Sequence, residues 1–291
     1  MIDGLLAPFE FAFFRNGLAV ATLAGALCGM VGVYVVLKGM SYIGHGLSHA
    51  IFGGFAASAL LGVNVFVGAG VWGVASALMI TGITRRRVIG SDAAIGVITT
   101  ASFALGLALF ALFGSGGSGS FDNLLFGSIL GVGLQDVAAI ALITVIAGAV
   151  VFFRYRALLF TTFDAEVADV SGVNTARMDA LLMLVLAGSI LATMQVLGVT
   201  LVAATLVIPP TVARMLTNSF SRMLGCSTGI GAFSGFAGMV ASYHLDIQSG
   251  PSIVLVGTLL FGLVFLATGT NGLRRTAGLD DHAEPLAAPN A

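Results

Sequence analysis

Gly39-Met-Ser-Tyr-Ile-Gly-His-Gly-Leu-Ser-His-Ala-Ile-Phe-Gly-Gly54 follows Lys38 and opens a stretch, Gly39 to Thr84, that holds no Asp, Glu, Lys or Arg. One membrane crossing needs ~20 apolar residues. The stretch is therefore long enough for two, and Gly62-Val63-Asn64 supplies a tight turn between them. His45 and His49 are two of the four histidines in the chain. Their i, i+4 spacing puts both imidazoles on one face of a helix. Gly44, Gly46, Gly53 and Gly54 leave that helix thin, open to another backbone or a small ligand. Two readings of the histidines are open. They pack and hydrogen-bond against neighbouring helices, or they bind something, as ionisable groups inside a membrane usually do.

Composition agrees with the membrane reading. The chain of 291 residues is 58% hydrophobic and only 9% charged, with mean hydropathy +1.06. Soluble domains carry about 25% charged residues, so this chain cannot cover a water-facing surface. The expected class is all-α, a polytopic membrane protein in contact with lipid. Net charge is −1, which implies no nucleic-acid partner. Cys28 and Cys226 lie far apart and read as small packing residues. Asp3 and Glu10, with no early basic cluster, argue against a cleaved signal peptide, so the first span is expected to be retained.

Working outward, an aromatic lead-in with Phe9, Phe11, Phe13 and Phe14 precedes a first span, Gly17–Leu37. Arg85, Arg86 and Arg87 close the third span and mark the cytoplasm. Ala93–Phe113 is the fourth span, Gly114–Ser120 a flexible loop, and Phe121–Gln135 a short outer helix. Val137–Phe153 is the fifth span. Residues 154–179 form a charged cytoplasmic segment, helical in part. Ala180–Ala213 is uncharged and too long for one span; Gly198 and Pro209-Pro210 are expected to break it. Met223–Tyr243 follows, with two GxxxG spacings, Gly225/Gly229 and Gly231/Gly235. Ile253–Leu273 is the last span. The total is eight or nine transmembrane helices within one membrane domain, residues 1–275; the tail, 276–291, is expected to be disordered.

Candidate chemistry is sparse. His45 and His49 share a face, and His244 and Asp246 stand beside Gly250-Pro251. Imidazole and carboxylate together suit divalent transition metals. The alternative for His244 and Asp246 is a solvated loop whose Asp caps the last helix. There is no HExxH, and no GxxxxGK[ST] with which the chain itself would hydrolyse ATP.

These residues resemble a family. Lys38–Gly54 is similar to the signature of the metal-uptake ABC transporter permeases for zinc, manganese and iron: a basic residue and Met-Ser, then Gly-Asp-x-x-Ser-His-Ala and a Gly pair. Asp164, Glu166, Ala168 and Gly172 stand where that family places its coupling helix. Leu206–Ala213 resembles its Leu-x-Ile-Pro-Ala-x-x-Ala stretch, and Ser242–Pro251 its Ser-x-x-x-Asp-x-Pro-Ser-Gly turn. The resemblance implies a multi-pass permease in a bacterial cell membrane, not itself an enzyme. It implies a homodimer, cytoplasmic ATPase subunits, and an extracytoplasmic metal-binding protein that delivers the ion. No permanently bound cofactor is expected; the metal is cargo, zinc or manganese, held transiently by His45, His49 and Asp246, with His244 beside them. This chain departs from the pattern at His45, where the family has Asp. Nitrogen in place of a hard oxygen favours zinc over manganese. Protonated imidazole does not ligate metal, so transport is expected to fall as pH drops through ~6.5. A permease for a metal chelate such as a siderophore or corrinoid, and an ion-coupled secondary carrier, are the alternatives.

Overall fold

The structure, a computed structural model, describes residues 7–85, 89–113, 127 and 132–279. After a 3-10 turn at Ala7–Glu10 come eleven helices among the described residues. They are α1 (Ala12–Leu37), α2 (Ile43–Leu61), α3 (Val65–Arg85), α4 (Ser91–Phe113), α5 (Leu134–Phe153), α6 (Tyr155–Phe163), α7 (Ala165–Val170), α8 (Thr175–Leu197), α9 (Val202–Leu216), α10 (Phe220–Leu245) and α11 (Ser249–Leu279). No strand occurs among the described residues. Hydrocarbon offers no partner for backbone N–H and C=O, so each span must satisfy them internally, as a helix does.

Among the described residues seven helices are long and apolar enough to cross a membrane: α1, α3, α4, α5, α8, α10 and α11. With the shorter apolar α9 and the histidine-bearing α2, the described residues trace an alternating path of nine helices, consistent with the expected eight or nine. Arg85, Arg154, Arg177, Arg214 and Arg222 all fall at the same end of that path, which the positive-inside rule makes cytoplasmic. The start of α1 then lies outside, as do the α10–α11 turn and the beginning of α5. Of the sequence expectations, Arg86, Arg87, the Gly114–Ser120 loop and most of the 121–135 helix lie outside the described residues. Helix α11 runs on to Leu279, past the expected start of the tail, because no proline interrupts it before Pro285; the rest of the tail lies outside the described residues.

Helix α1 is the hub. It packs on α10, α9, α8 and α5, while α2 packs on α3 and α4, and α8 bridges the two groups. Contact between α1 and α10 is backbone to backbone. A Cβ at Gly25 would meet the Gly231 carbonyl, one at Gly235 the Ala21 carbonyl, and one at Gly29 the Ser227 carbonyl. The Ser227 hydroxyl donates to the Gly29 oxygen at 2.5 Å. Only one of the two GxxxG spacings is used this way. Gly225 and Gly229 have no neighbouring atom within 4 Å of a built Cβ. Phe14, expected in an interfacial lead-in, is fully buried between Phe9 and Tyr243. Cys28 is buried as expected, whereas Cys226 is exposed.

The Gly198 break is observed, with φ 77° and ψ 154° there. The proline pair is not a break: Pro209 and Pro210 lie inside α9. Each proline removes the N–H that would bond the carbonyl four residues earlier, here those of Thr205 and Leu206. The Leu206 oxygen is turned against Gly32 of α1, where a Cβ would leave no room for it. The freed carbonyl thus lies against α1 at a position that carries no side chain.

Candidate metal site

The imidazole pair is set by the start of α2. Helix α1 ends in a Schellman turn: Gly39 adopts φ +67°, its N–H bonds the Val36 carbonyl, and the Met40 N–H bonds Val35. The Ile43 N–H then bonds the Met40 carbonyl, so only a short, tied connection separates α1 from α2. His45 stands in the first turn of α2 and His49 one turn on, both half-buried, with ring centroids 4.2 Å apart. Phe103 of α4 meets the His49 ring edge-on at 4.4 Å.

Nδ1 of His49 lies 2.9 Å from the His45 carbonyl oxygen. A carbonyl only accepts, so Nδ1 carries the proton and donates, and the lone pair of the neutral ring is at Nε2. The same carbonyl accepts the Ser48 hydroxyl at 2.8 Å. Such a bond behind a ligating imidazole fixes its tautomer and orientation. An ion ~2.0–2.1 Å from one nitrogen of each ring, at an angle between about 90° and 109°, needs ring centroids about 4.5–5.2 Å apart. The observed 4.2 Å is a small side-chain rotation away from that. The glycines that thin α2 are not reserved for a ligand. Gly44 packs on Leu206 and Ala203, Gly46 on Ile95 and Thr99, Gly53 on Ser102, and Gly54 on Trp72.

His244 and Asp246 do not join the pair. Both are exposed at the outer end of α10: His244 stands in its last turn, and Asp246 closes it in the left-handed conformation at φ 53°, its N–H on the Ser242 carbonyl. The α10–α11 turn is tied to the end of α8 by the Ser249 hydroxyl, which donates to the Val196 oxygen at 3.0 Å. Phe14 meets Tyr243, and Gly32 meets Leu206, against which Gly44 also packs. Eighteen residues of helix separate Phe14 from Gly32, about 27 Å at 1.5 Å per residue. The expected set of His45, His49, Asp246 and His244 is therefore split between two levels of this chain. Among the described residues no three His, Cys, Asp or Glu side chains gather into a metal-binding group. The physical reason is that α1 and α10 run antiparallel, carrying the end of α10 away from the start of α2.

The residues matched to a coupling helix do share one feature, the short helix α7. Asp164 caps it, its Oδ1 accepting the Val167 N–H at 2.9 Å. Glu166 lies exposed in its first turn and Ala168 is fully buried beneath it. Gly172 ends it in a second Schellman turn, at φ +83°, with Gly172 N–H on Asp169 and Val173 N–H on Ala168. Val167 and Val170 point outward, 51% and 90% exposed, on the cytoplasmic face.

One polar cluster escaped sequence reasoning. Lys38 Nζ donates to Asp179 Oδ1 at 2.8 Å and to the Thr161 carbonyl at 3.2 Å. Arg85 reaches the other Asp179 oxygen at 3.6 Å and donates to the Thr175 hydroxyl at 3.1 Å. That hydroxyl donates to Asp169 Oδ1 at 2.8 Å. The available signal was that Lys38 is the only lysine in the chain, beside the histidine stretch.

Comparison with known proteins agrees with this architecture. Residues 10–268 match the ABC 3 transport family. The manganese transport system membrane protein MntC of Listeria monocytogenes is 34% identical over 272 residues, 94% of this chain and 95% of that protein. The chelated iron transport system membrane protein YfeC of Yersinia pestis is 32% identical over 276 residues, 95% of this chain and 93% of its own. The solved structure of PsaBC from Streptococcus pneumoniae in complex with Fab superposes with a TM-score of 0.82 at 32% identity, covering 91% of this chain and 95% of that one. With seven membrane-length apolar helices among the described residues, a family match over most of its length and relatives aligned nearly end to end, this multi-pass membrane protein belongs to the ABC 3 transport family.

Proposed function

We propose that the chain is the permease subunit of an ATP-driven importer of a divalent first-row transition metal ion. It works as a homodimer with the ion path between two copies. ATPase subunits dock on α7 from the cytoplasm, and an extracytoplasmic metal-binding protein delivers the ion. The observation that carries this reading is the His45–His49 pair, with the His49 proton held by the helix's own carbonyl so that Nε2 is free for metal. Membership of the family supports the same reading. Two neutral imidazoles bind without closing a cage, which suits an ion that must leave again. His244 and Asp246, at the outer surface, are suited to receiving the ion before it reaches the pair. Alternating access then moves it inward.

His45 tilts the preference to zinc, because imidazole suits zinc and manganese favours carboxylate and water. A second reading, manganese, is favoured by the name of the Listeria relative. Uptake of zinc and manganese in competition, by cells lacking other importers, decides between them. The reading expects zinc to win in the wild type and His45→Asp to move the ratio at least about tenfold towards manganese. An unchanged ratio in a well-folded His45→Asp variant places the selecting contact elsewhere. Uptake of a chelate that a bare ion does not displace favours a chelate permease instead.

A further inference from the structure

We infer that Lys38 and Asp179 are positioning residues that carry motion of the docking segment to the histidine pair; the inference rests on the transport reading above. The cluster joins three stretches that sequence keeps far apart: Lys38, Arg85 and residues 161–179. Asp169 lies on α7, the helix matched to ATPase docking, and accepts both the backbone N–H and the hydroxyl of Thr175 at the start of α8. The same hydroxyl accepts from Arg85 at the end of α3. Arg85 and Lys38 meet on the two oxygens of Asp179, which is part-buried, one turn into α8. Lys38 also holds the Thr161 carbonyl of α6. A shift of α6 and α7 against α8 must therefore either drag the Lys38 ammonium or break its bonds.

Lys38 hands that shift on without slack. It is the C-cap of α1, followed by the Schellman turn at Gly39, and the Gly46 N–H already bonds the Tyr42 carbonyl. Seven residues beyond Lys38 stands His45. The connection also has room to move. It borders a cavity of about 370 Å³, lined among others by Lys38, Met40, Thr84, Arg85, Ile95 and Asp179. Ile95 in turn touches Gly46, next to His45. The Thr84 hydroxyl at this cavity has no partner among the described residues, so a rearranged state can offer it one. Rigid couplings at both ends and a void beside the link are what a two-position element requires.

The test is the number of ions moved per ATP hydrolysed, in proteoliposomes containing the permease with its ATPase and metal-loaded binding protein, with zinc and manganese as the ions. Asp179→Asn and Lys38→Met are each expected to lower that ratio about tenfold, and the double variant to lower it no further, because both break one link. Lys38→Arg, which keeps the charge and a donor to each oxygen, is expected to stay within about twofold of wild type. Thr175→Val, which leaves both Lys38 and Asp179 intact, is expected to lose about threefold, and it decides the matter should the charge variants not assemble. A merely structural cluster would lower thermal stability and leave ions per ATP unchanged in the folded fraction; that result overturns the inference, as does a double variant near the product of the singles. Absence of ion uptake by the wild type overturns the transport reading itself, and the inference with it.

Discussion

Gly25→Ala tests how closely α1 and α10 must approach. The new methyl would stand 2.7 Å from the Gly231 carbonyl carbon and nearer still to its oxygen. Ordinary contact begins at 3.4 Å, so the carbonyl carbon alone requires the helices to part by about 0.7 Å, and the nearer oxygen requires more. Backbone cannot swing aside as a side chain can. A gap of that size forfeits roughly a quarter to a half of each neighbouring contact, including those at Ala21–Gly235 and Gly29–Ser227. The Ser227 bond to Gly29 stretches as well, and membrane hydrogen bonds average ~0.6 kcal/mol. Together with overpacking of about 1–3 kcal/mol, the expected cost is about 2–3 kcal/mol. Gly229→Ala is the control, since nothing lies within 4 Å of its Cβ. Both replacements gain the same helix propensity, ~0.8–1.0 kcal/mol, so their difference isolates packing. Reversible unfolding of the two variants in the same detergent or bicelle gives that difference. If Gly25→Ala unfolds within about 0.5 kcal/mol of Gly229→Ala, the close α1–α10 approach is wrong.

His49→Ala is expected to abolish ion uptake while the protein still inserts and dimerises, read by radiolabelled uptake alongside gel filtration; normal uptake removes His49 from the path. The sign with pH follows from the same chemistry: the imidazolium present at low pH has no lone pair, so wild-type uptake falls on acidification, and uptake indifferent to acid argues against imidazole ligands. Gly172→Val is expected to strain the α7 turn by ~1–2 kcal/mol through its left-handed backbone, although a Cβ there meets only open space. Uptake per ATP should drop with Gly172→Val and drop less with Gly172→Asn, which tolerates that conformation. Unchanged coupling in an assembled Gly172→Val complex refutes α7 as the docking helix.

The amino-acid sequence by itself determined the class, most of the span boundaries and the histidine pair. Uncharged runs such as Gly39–Thr84 leave a backbone in hydrocarbon no choice but helix, and glycine or arginine marks the stops of helices such as α2, α3, α5 and α8. The 4.2 Å approach of His45 and His49 is likewise local, since i, i+4 neighbours meet on any helix. What the tertiary structure decided involves residues distant in the chain. Lys38 and Asp179 are 141 residues apart, and no local pattern ties one to the other. Two identical GxxxG spacings in α10 differ only in whether α1 lies against them. Pro209 and Pro210 are tolerated because Gly32 of another helix receives a freed carbonyl, where propensity alone expects a break. Asp246 and His244 share ligand chemistry with the histidine pair, yet the antiparallel course of α1 and α10 carries them to the other end of α1. Residue chemistry is written in each position, but proximity across helices is a property of packing, which only the assembled bundle specifies.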